Sequence, residues 1–275
     1  MKLVFTDLDG TLLDHDSYSF EAARPALDLL AARGIPVVLA SSKTEAEMRP
    51  IAEAIGISHP MIVENGAGVV GLESGDKAAT EDETAIPYKR LRVLLRELPK
   101  ELSGKFEGFG DWDVARVAQE TGLPPASAEL ARKRRFSEPG RFAGTDDEKR
   151  AFIDLLKAEG FTAVQGGRFF TLMPQTSKAE RMAQVVAHYQ RGSAAPVRTV
   201  ALGDAPNDLA ARGGRLRHHH CQSCAQGAAC HGAGKRRCYP ALGTIRPGRL
   251  EPHDPSTRCH GVSLSRPQPT SSRKD

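Results

Sequence analysis

Apolar and polar positions follow two different rhythms over the first seventy residues. The runs KLVFT, IPVVLA and MIVENG are short and mostly apolar, which predicts three buried strands. Residues 20–34 and 45–56 instead repeat apolar side chains at helical spacing, and Thr44 with Glu47 forms a capping box before the second of these helices. This βαβαβ order indicates a parallel sheet covered by helices.

The rhythm changes between residues 84 and 168. A second capping box, Thr145 with Glu148, precedes a helix, and the strand-like runs FTAVQ and RFFTL flank a pair of glycines. A further helical face is marked by Leu91, Leu94, Leu95 and Leu98. These features predict an inserted α+β unit.

The parallel pattern then resumes with a helix capped by Ser177 and Glu180 and with the strand VRTVAL. We therefore predict an α/β protein in which a Rossmann-like parallel-sheet core carries an inserted α+β cap domain. The expected ranges are 1–83 and 169–211 for the core, 84–168 for the cap and 212–275 for an irregular tail.

Composition separates the tail from the body. Residues 212–275 hold 12 lysines and arginines against 3 acidic residues, so the net charge of +4 and the pI of about 8.8 come from the tail. All five cysteines also lie after residue 220, which leaves the body without a disulfide framework. The N-terminus lacks a signal-like segment and no apolar run reaches transmembrane length, so we expect a soluble cytoplasmic protein with no membrane partner.

The tail offers ligands of another kind. HHHCQSC, Cys230, His231 and Cys238 would suit zinc, and the basic residues would suit nucleic acid. Only one C-x-x-C pair is present, and no second pair follows at zinc-finger spacing. Disorder is therefore favoured over a folded zinc module, and no nucleic-acid partner is expected. An inactive body with a basic metal- or nucleic-acid-binding tail stays open as an alternative.

Two carboxylates, Asp7 and Asp9, follow the first predicted strand and precede Gly10. Open α/β sheets bind ligands at the carboxyl ends of their strands. Mg²⁺ prefers oxygen ligands and usually reaches a protein through one or two carboxylates plus a substrate phosphate. The pair therefore favours a site for a cation and a phosphorylated substrate over a plain surface turn, in which Asp and Gly are also common.

Polar residues follow later elements as well. Ser41 comes after the second strand, either as a donor to a phosphoryl oxygen or as part of an ordinary N-cap region. Lys178 stands in the first turn of its helix, where a cation opposes the helix dipole; a bound anion explains this placement, and so does simple exposure. Three acceptors suited to a metal shell follow VRTVAL, namely Asp204, Asn207 and Asp208.

The segments DLDGT, VVLASSK, TSKAERM and GDAPND resemble, in this order, the four motifs of the haloacid dehalogenase superfamily of phosphatases. The resemblance covers residues 1 to about 211, and the insertion together with VENGAG at 63–68 resembles the type with a large α+β cap. Within that type, SSKT, RRFSEP at 134–139 and GGRFF at 166–170 are similar to the mannosyl-3-phosphoglycerate phosphatase family.

The resemblance implies a role for each matching residue. Asp7 is the expected nucleophile, which forms an aspartyl phosphate, and Asp9 is the expected general acid and base. Ser41 and Lys178 are expected to bind the phosphoryl oxygens. Mg²⁺ is the expected cofactor, with ligands from Asp7, the backbone carbonyl of Asp9, Asp204 and Asp208. The residues expected beside the substrate are Ser42, Arg168 and Asn207.

The expected reaction is the Mg²⁺-dependent hydrolysis of a small phosphorylated sugar glycoside, mannosyl-3-phosphoglycerate; another sugar phosphate is the alternative substrate. The glycerate carboxylate of such a substrate would pair with Arg134, Arg135 or Arg168. Because Arg134 and Arg135 belong to the basic run RKRR, a solvated face is favoured for both. Arg168 follows two glycines that let a backbone approach a ligand, so a site and a surface role are equally expected. The oligomeric state is left open.

In this superfamily a helix and another apolar strand follow the fourth motif, but here the only large aliphatic residues between 209 and 241 are Leu209 and Leu216. We hypothesise that translation leaves the ancestral reading frame near Ala211. Three consecutive histidines need CAY codons, and a one-base shift reads AYC, which encodes Ile or Thr, residues typical of a buried strand. In that case the sheet lacks its closing elements.

Overall fold

A computed structural model gives the architecture of residues 1–15, 17–72 and 87–203, together with the backbone of residues 218–219. Its helices are α1 (Arg24–Ala32), α2 (Glu45–Ile55), α3 (Pro87–Arg96), α4 (Val114–Thr121), α5 (Pro125–Arg132), α6 (Asp146–Ala158) and α7 (Lys178–Arg191). Its strands are β1 (Lys2–Thr6), β2 (Val37–Leu39), β3 (Met61–Val63), β4 (Gly68–Val70), β5 (Phe106–Gly108), β6 (Glu138–Phe142), β7 (Phe161–Gln165), β8 (Phe170–Pro174), β9 (Arg198–Leu202) and β10 (His218–His219).

The first sheet is parallel and has the strand order β10-β9-β1-β2. A parallel bridge between Ala40 and Ile62 places β3 beside β2. Apolar side chains fill both sides of this sheet: Leu39 and Met48 belong to one buried cluster, and Phe5 belongs to the other. The structure confirms the predicted α/β fold with a parallel-sheet core, since strands buried on both faces read as continuous apolar runs.

The ends of these elements follow from single residues. The capping box of Thr44 and Glu47 starts α2, and Gly56 ends it in the left-handed conformation. The predicted helix 20–34 is shorter in the structure, because α1 has its proline at the first or second helical position and only a 3₁₀ turn precedes it. The predicted strand MIVENG ends at Val63, since the next two residues have positive φ angles.

The second sheet is antiparallel, with the strand order β5-β6-β8-β7. Helices α3 and α6 pack their apolar residues on it, and Leu91, Phe152 and Leu172 are fully buried there. This is the predicted α+β insertion. The expected range 84–168 leaves out β8, which pairs with β6 and β7, so the strand belongs to the second sheet rather than to the expected core segment 169–211.

Helices α4 and α5 enclose a smaller cluster around Phe109, Trp112 and Val117. These helices and β5 and β6 were not predicted, because their short segments carry few apolar residues. Helix α5 also contacts the core, where the Thr44 hydroxyl donates to the carbonyl of Leu130 at 3.0 Å. The residue that caps α2 therefore also holds the cap helix.

Only two residues after position 203 belong to the described structure. The backbone of His218–His219 forms β10 and pairs in parallel with Ala201 and Leu202 of β9. The predicted tail was irregular throughout, so this short strand differs from the prediction. The side chains of the proposed zinc ligands in the tail lie outside the described structure. Across the described residues, no helix combines the length and hydrophobicity that crossing a bilayer requires.

Candidate active site

The carboxyl ends of β1, β2 and β9 meet at one edge of the parallel sheet. Thr6 pairs with Leu39 on one side and with Leu202 on the other. The Asp7 amide donates to the Leu202 carbonyl at 2.9 Å, and the Ala40 amide donates to the Thr6 carbonyl at 2.9 Å. This pairing brings Asp7 and Ser41 to neighbouring strand ends, as the sequence predicts.

Asp7 forms a buried ion pair with Lys178. The Lys178 Nζ atom lies 2.9 Å from Asp7 Oδ1, and the two side chains are 6% and 14% exposed. Lys178 is the first residue of α7, directly after the capping box of Ser177 and Glu180. A cation at this helix terminus opposes the dipole, and the carboxylate offsets that cost. The alternative of a merely exposed lysine was therefore wrong.

Asp9 forms a second ion pair, with Lys43. The Lys43 Nζ atom lies 3.0 Å from Asp9 Oδ1, and the side chains are 15% and 38% exposed. The same ammonium group lies 5.5 Å from the centre of the Tyr18 ring. Each carboxylate of the DLD motif therefore has its own lysine, one from the start of α7 and one from the loop before α2.

Ser41 is buried between the loops that follow β2 and β3. Its amide donates to the Ile62 carbonyl at 3.0 Å, and its carbonyl accepts from the Asn65 amide at 2.8 Å. Its hydroxyl oxygen accepts from the Lys43 amide at 3.3 Å. Ser41 is not the cap of α2, since Thr44 has that position. The backbone thus fixes Ser41 just past the end of β2, the strand that pairs with β1.

The turn Glu64–Gly66 packs against the start of α7. Gly66 has a φ of +88°, and a Cβ atom built on it would lie 2.3 Å from the Lys178 backbone nitrogen. Only glycine allows so close an approach together with this backbone conformation. The Gly66 carbonyl also accepts from Arg181 Nε at 3.3 Å. This contact sets the position of α7, and with it the position of Lys178.

Glu64 joins the core to the segment that leads into β6. Its carboxylate accepts from the amides of Arg135, Phe136 and Ser137 at 2.9, 3.2 and 2.7 Å, and from the Ser137 hydroxyl at 2.7 Å. The Glu64 amide donates to the Lys43 carbonyl at 2.9 Å. Glu64 has a φ of 51°, a conformation that is costly for a residue other than glycine. One buried side chain therefore connects the cap to the loop that carries Ser41.

Arg134 lies at the boundary between core and cap, where its side chain is only 9% exposed. Its guanidinium donates to the Ser42 carbonyl at 3.2 Å and lies 5.6 Å from the Phe109 ring centre. Within the described part of the chain, Arg134 Nε has no hydrogen-bond partner. The predicted solvated face was wrong for Arg134, because the RKRR run crosses from cap to core. The predicted solvated face is correct for Arg135, whose side chain is 53% exposed and pairs with Glu45.

Arg168 and Ser42 are exposed. Arg168 occupies the β7–β8 turn, which is closed by a hydrogen bond from the Gly166 amide to the Phe169 carbonyl at 2.9 Å. Phe169 packs edge-on against Phe109, with ring centres 5.2 Å apart. Since Phe109 also contacts Arg134, the Arg168 turn and Arg134 flank the same aromatic cluster.

A buried polar group lies inside the cap behind this cluster. Glu138 is fully buried, and burial raises the pKa of its carboxyl, although the Tyr88 hydroxyl and the Gly110 amide, at 2.7 Å, lower it in part. Burial beside Glu138 also raises the pKa of Tyr88. Burial would raise the pKa of Asp111, but hydrogen bonds from Arg92 lower it overall. The cap therefore encloses a carboxyl group that disfavours its charged form.

The predicted metal ligands Asp204 and Asp208, and the predicted substrate residue Asn207, lie outside the described residues. Asp7 and Asp9 supply the hard oxygen donors that Mg²⁺ prefers, so the described part of the donor set fits this ion. Among the described residues, no group of three or more His, Cys, Asp and Glu side chains forms a metal cluster. The chain runs to Gly203 beside Asp7, because the Leu202 carbonyl binds the Asp7 amide.

Lys43 and Glu64 are site residues that the sequence analysis did not identify. Lys43 precedes the N-cap of α2, where a cation is unfavourable for the same reason as at Lys178. That signal was available in the sequence. Glu64 belongs to VENGAG, which indicated only the type of cap; its contact depends on a positive φ angle and on a segment 71 to 73 residues further along the chain.

Comparison with known proteins identifies the class. The profile of haloacid dehalogenase-like hydrolases matches residues 4–103. A solved structure of a Thermoplasma acidophilum protein has a similar fold, with a TM-score of 0.51 at 17% identity, and the match covers 79% of this chain and 83% of that one. The chain belongs to the haloacid dehalogenase-like hydrolase family.

Two curated relatives carry more specific names. The chain is 36% identical to the glucosyl-3-phosphoglycerate/mannosyl-3-phosphoglycerate phosphatase of Methanococcoides burtonii, over 75% of this chain and 79% of that protein. It is 35% identical to the protein of the same name from Persephonella marina, over 75% of this chain and 80% of that protein. The predicted resemblance to this group of phosphatases is confirmed.

Proposed function

We propose that this protein is a Mg²⁺-dependent phosphatase that removes the phosphoryl group of a glycosyl-3-phosphoglycerate. One observation carries the proposal: Asp7 at the end of β1 is paired with the buried Lys178, and the buried Ser41 follows the neighbouring strand β2. A carboxylate held next to a fixed cation and a hydroxyl can attack phosphorus while neighbouring groups bind the phosphoryl oxygens.

The reaction takes place in two displacements. Asp7 attacks phosphorus, the bond from phosphorus to the glyceryl oxygen breaks, and Asp9 donates a proton to that oxygen. Asp9 then accepts a proton from water as the water oxygen attacks the phosphorus of the aspartyl phosphate. This step releases inorganic phosphate and restores the Asp7 carboxylate.

Lys178 and Ser41 supply the electrostatic part of catalysis. The Lys178 ammonium and the Ser41 hydroxyl bind phosphoryl oxygens, on which charge is spread in the transition state. Mg²⁺, held by Asp7, the Asp9 carbonyl, Asp204 and Asp208, would neutralise charge shared by the nucleophile and the phosphoryl group. Asn207 would support the same side of the site.

The substrate class rests on the names of the two curated relatives and on the mostly buried side chain of Arg134. A glycosyl-3-phosphoglycerate carries a carboxylate as well as a phosphate, and an arginine can bind a carboxylate through two hydrogen bonds. Arg134 is held between Ser42 and Phe109, and its Nε has no partner within the described part of the chain. Arg134 Nη1 also lies 3.9 Å from Glu64 Oε2, but its side chain is only 9% exposed, whereas that of Arg135 is 53% exposed and pairs with Glu45, so Arg134 is the stronger candidate. Arg168 and Ser42 complete this side of the site.

The test is a phosphate-release assay with and without Mg²⁺. Its substrates are mannosyl- and glucosyl-3-phosphoglycerate, mannose 6-phosphate and glucose 6-phosphate. Release from the glycosyl-3-phosphoglycerates that needs Mg²⁺ and is lost in Asp7→Asn supports the proposal. Preference for a simple sugar phosphate would favour the alternative substrate. The absence of release from every compound by the folded protein would leave the inactive body with a binding tail as the better account.

Arg134 is tested by the dependence of activity on the substrate carboxylate. We expect Arg134→Lys to raise KM for mannosyl-3-phosphoglycerate by about tenfold or more, because lysine cannot form the forked contact. The same variant should change KM for p-nitrophenyl phosphate, which has no carboxylate, by much less. Equal changes in both values would remove Arg134 from this role.

A further inference from the structure

We propose that Lys43 is a positioning residue for Asp9, which it holds through one carboxylate oxygen while the other oxygen exchanges the proton. The inference rests on the proposed function, in which Asp9 is the general acid. It gives a role in the reaction to a residue of VVLASSK that the resemblance left without one.

The geometry shows a lysine whose direction is fixed at its base. The Lys43 amide donates to Ser41 Oγ, and its carbonyl accepts from the Glu64 amide. Its side chain is mostly buried and ends 3.0 Å from Asp9 Oδ1. The backbone that positions Ser41 therefore also aims Lys43 at Asp9.

Stability does not account for this pair. Lys43 precedes the N-cap of α2, where its charge opposes the positive end of the helix dipole. A partly exposed lysine–carboxylate pair contributes little to folding. Nearby acidic residues of α2 are already engaged: Glu45 pairs with Arg49 and Arg135, and Glu47 belongs to the capping box. The carboxylate that Lys43 does bind is the one assigned to proton transfer.

The pair has a definite consequence for the first displacement. The proton passes from Asp9 to the leaving glyceryl oxygen while the bond from phosphorus to that oxygen breaks, and Asp9 becomes a carboxylate. Lys43 prevents rotation of the Asp9 side chain away from the leaving oxygen. This restraint lowers the barrier only where proton donation is needed.

Two substrates with different leaving groups separate this role from a structural one. A glyceryl alkoxide needs a proton in order to leave, whereas p-nitrophenolate leaves without one. The ratio kcat/KM depends only on the steps up to departure of the leaving group. The later attack of water on the aspartyl phosphate therefore does not affect it. We expect Lys43→Met to lose about 10- to 100-fold in kcat/KM on mannosyl-3-phosphoglycerate and less than about threefold on p-nitrophenyl phosphate.

Three variants serve as controls. Lys43→Arg should restore most of the lost activity, because it keeps the charge. Lys43→Gln should reproduce the effect of Lys43→Met if the methionine variant folds poorly. Lys105→Met removes a comparable lysine–carboxylate pair in the cap, with Glu148 at 3.3 Å, and should leave the ratio of the two activities unchanged.

Asp9→Asn separates failure of this inference from failure of the proposed function. If Asp9→Asn shows the selective loss and the neutral Lys43 variants lose both activities equally or neither, Lys43 does not position Asp9. If Asp9→Asn itself shows no dependence on the leaving group, the general-acid role fails and the inference fails with it.

Discussion

Replacement of Glu64 tests whether one buried carboxylate connects the cap to the catalytic loops. Glu64→Ala removes the acceptor of three backbone amides and one hydroxyl. Each buried donor left unpaired costs about 1–3 kcal/mol. Part of this total cost is offset, because water can enter the space and because the Glu64 carboxylate no longer has to be buried. We expect a net loss of about 3–5 kcal/mol, as when a buried charged group loses its partner.

Two optical signals measure this loss. Trp112, the chain's single tryptophan, is buried in the cap, so its fluorescence follows unfolding of the cap, whereas circular dichroism follows the whole protein. A loss of this size should lower Tm by about 10 °C in both signals. Glu53→Ala, an exposed position on α2, is the matched control and should change Tm by about 1 °C or less.

A double-mutant cycle measures the interaction between the Glu64 carboxylate and the Ser137 hydroxyl directly. Ser137→Ala removes one hydrogen bond to the charged carboxylate and should cost about 1.5–3 kcal/mol in the wild type. It should cost much less in Glu64→Ala, because the partner is already gone. The reasoning is wrong if Glu64→Ala loses less than about 1 kcal/mol, or if the two substitutions are simply additive.

Further predictions concern a backbone contact, a buried acid and the tail. Gly66→Ala should lower kcat about 100-fold or prevent folding, because its Cβ would displace the start of α7; Gly34→Ala, which shares a positive φ but has open space, should keep kcat. Because the pKa of Glu138 is raised in the folded protein, the free energy of unfolding should fall as pH rises from about 4.5 through that raised value. Thermal melts of Glu138→Gln should lack this decline, whereas those of the control Glu129→Gln, at an exposed position, should keep it. Parallel pH profiles for the wild type and both variants would contradict the assignment. In the gene, an apolar strand–helix pattern should appear in another frame after codon 211; its absence, together with a protease-resistant tail, would exclude the frame hypothesis.

The comparisons bear on the hypothesis about the tail. Both curated relatives match about three quarters of this chain, and about a fifth of each relative also stays unmatched. A tail simply added to a complete enzyme would leave the relatives fully covered. His218–His219, which the structure places beside β9, belong to the histidine run whose shifted codons encode Ile or Thr. The hypothesis of a changed frame predicts unmatched residues in both this chain and its relatives, and the reading of the gene described above tests it.

The sequence predicted those parts of the fold that local patterns determine. The three capping boxes at Thr44, Thr145 and Ser177 are present where their residue types indicated them. Apolar runs predicted β1 and β9 almost to the residue. In β1 every position after Lys2 is buried, as expected for a strand covered on both faces. The extent of the second sheet was harder to predict from the sequence. Whether β8 belongs to that sheet depends on its pairing with β6 and β7 rather than on its own composition.

The candidate site could be predicted only in part, for a similar reason. Asp7, Ser41 and Lys178 stand at strand and helix ends, and parallel topology brings such ends together. Glu64 and Arg134 act across the boundary between core and cap, through contacts about 70 and 90 residues apart along the chain. Contacts between residues so far apart along the chain leave no local sequence pattern. The basic run RKRR even indicated the opposite for Arg134, because charge runs are usually solvated.

The central claim is that Asp7 carries the phosphoryl group during the reaction. Enzyme mixed with mannosyl-3-phosphoglycerate and Mg²⁺ is quenched in acid within one turnover, digested and examined by mass spectrometry. The account predicts the added mass of one phosphoryl group on Asp7, absent from Asp7→Asn and lost when the quench follows complete turnover. Release of phosphate by the wild type with no phosphorylated Asp7 at any time, or undiminished turnover by Asp7→Asn, would contradict it.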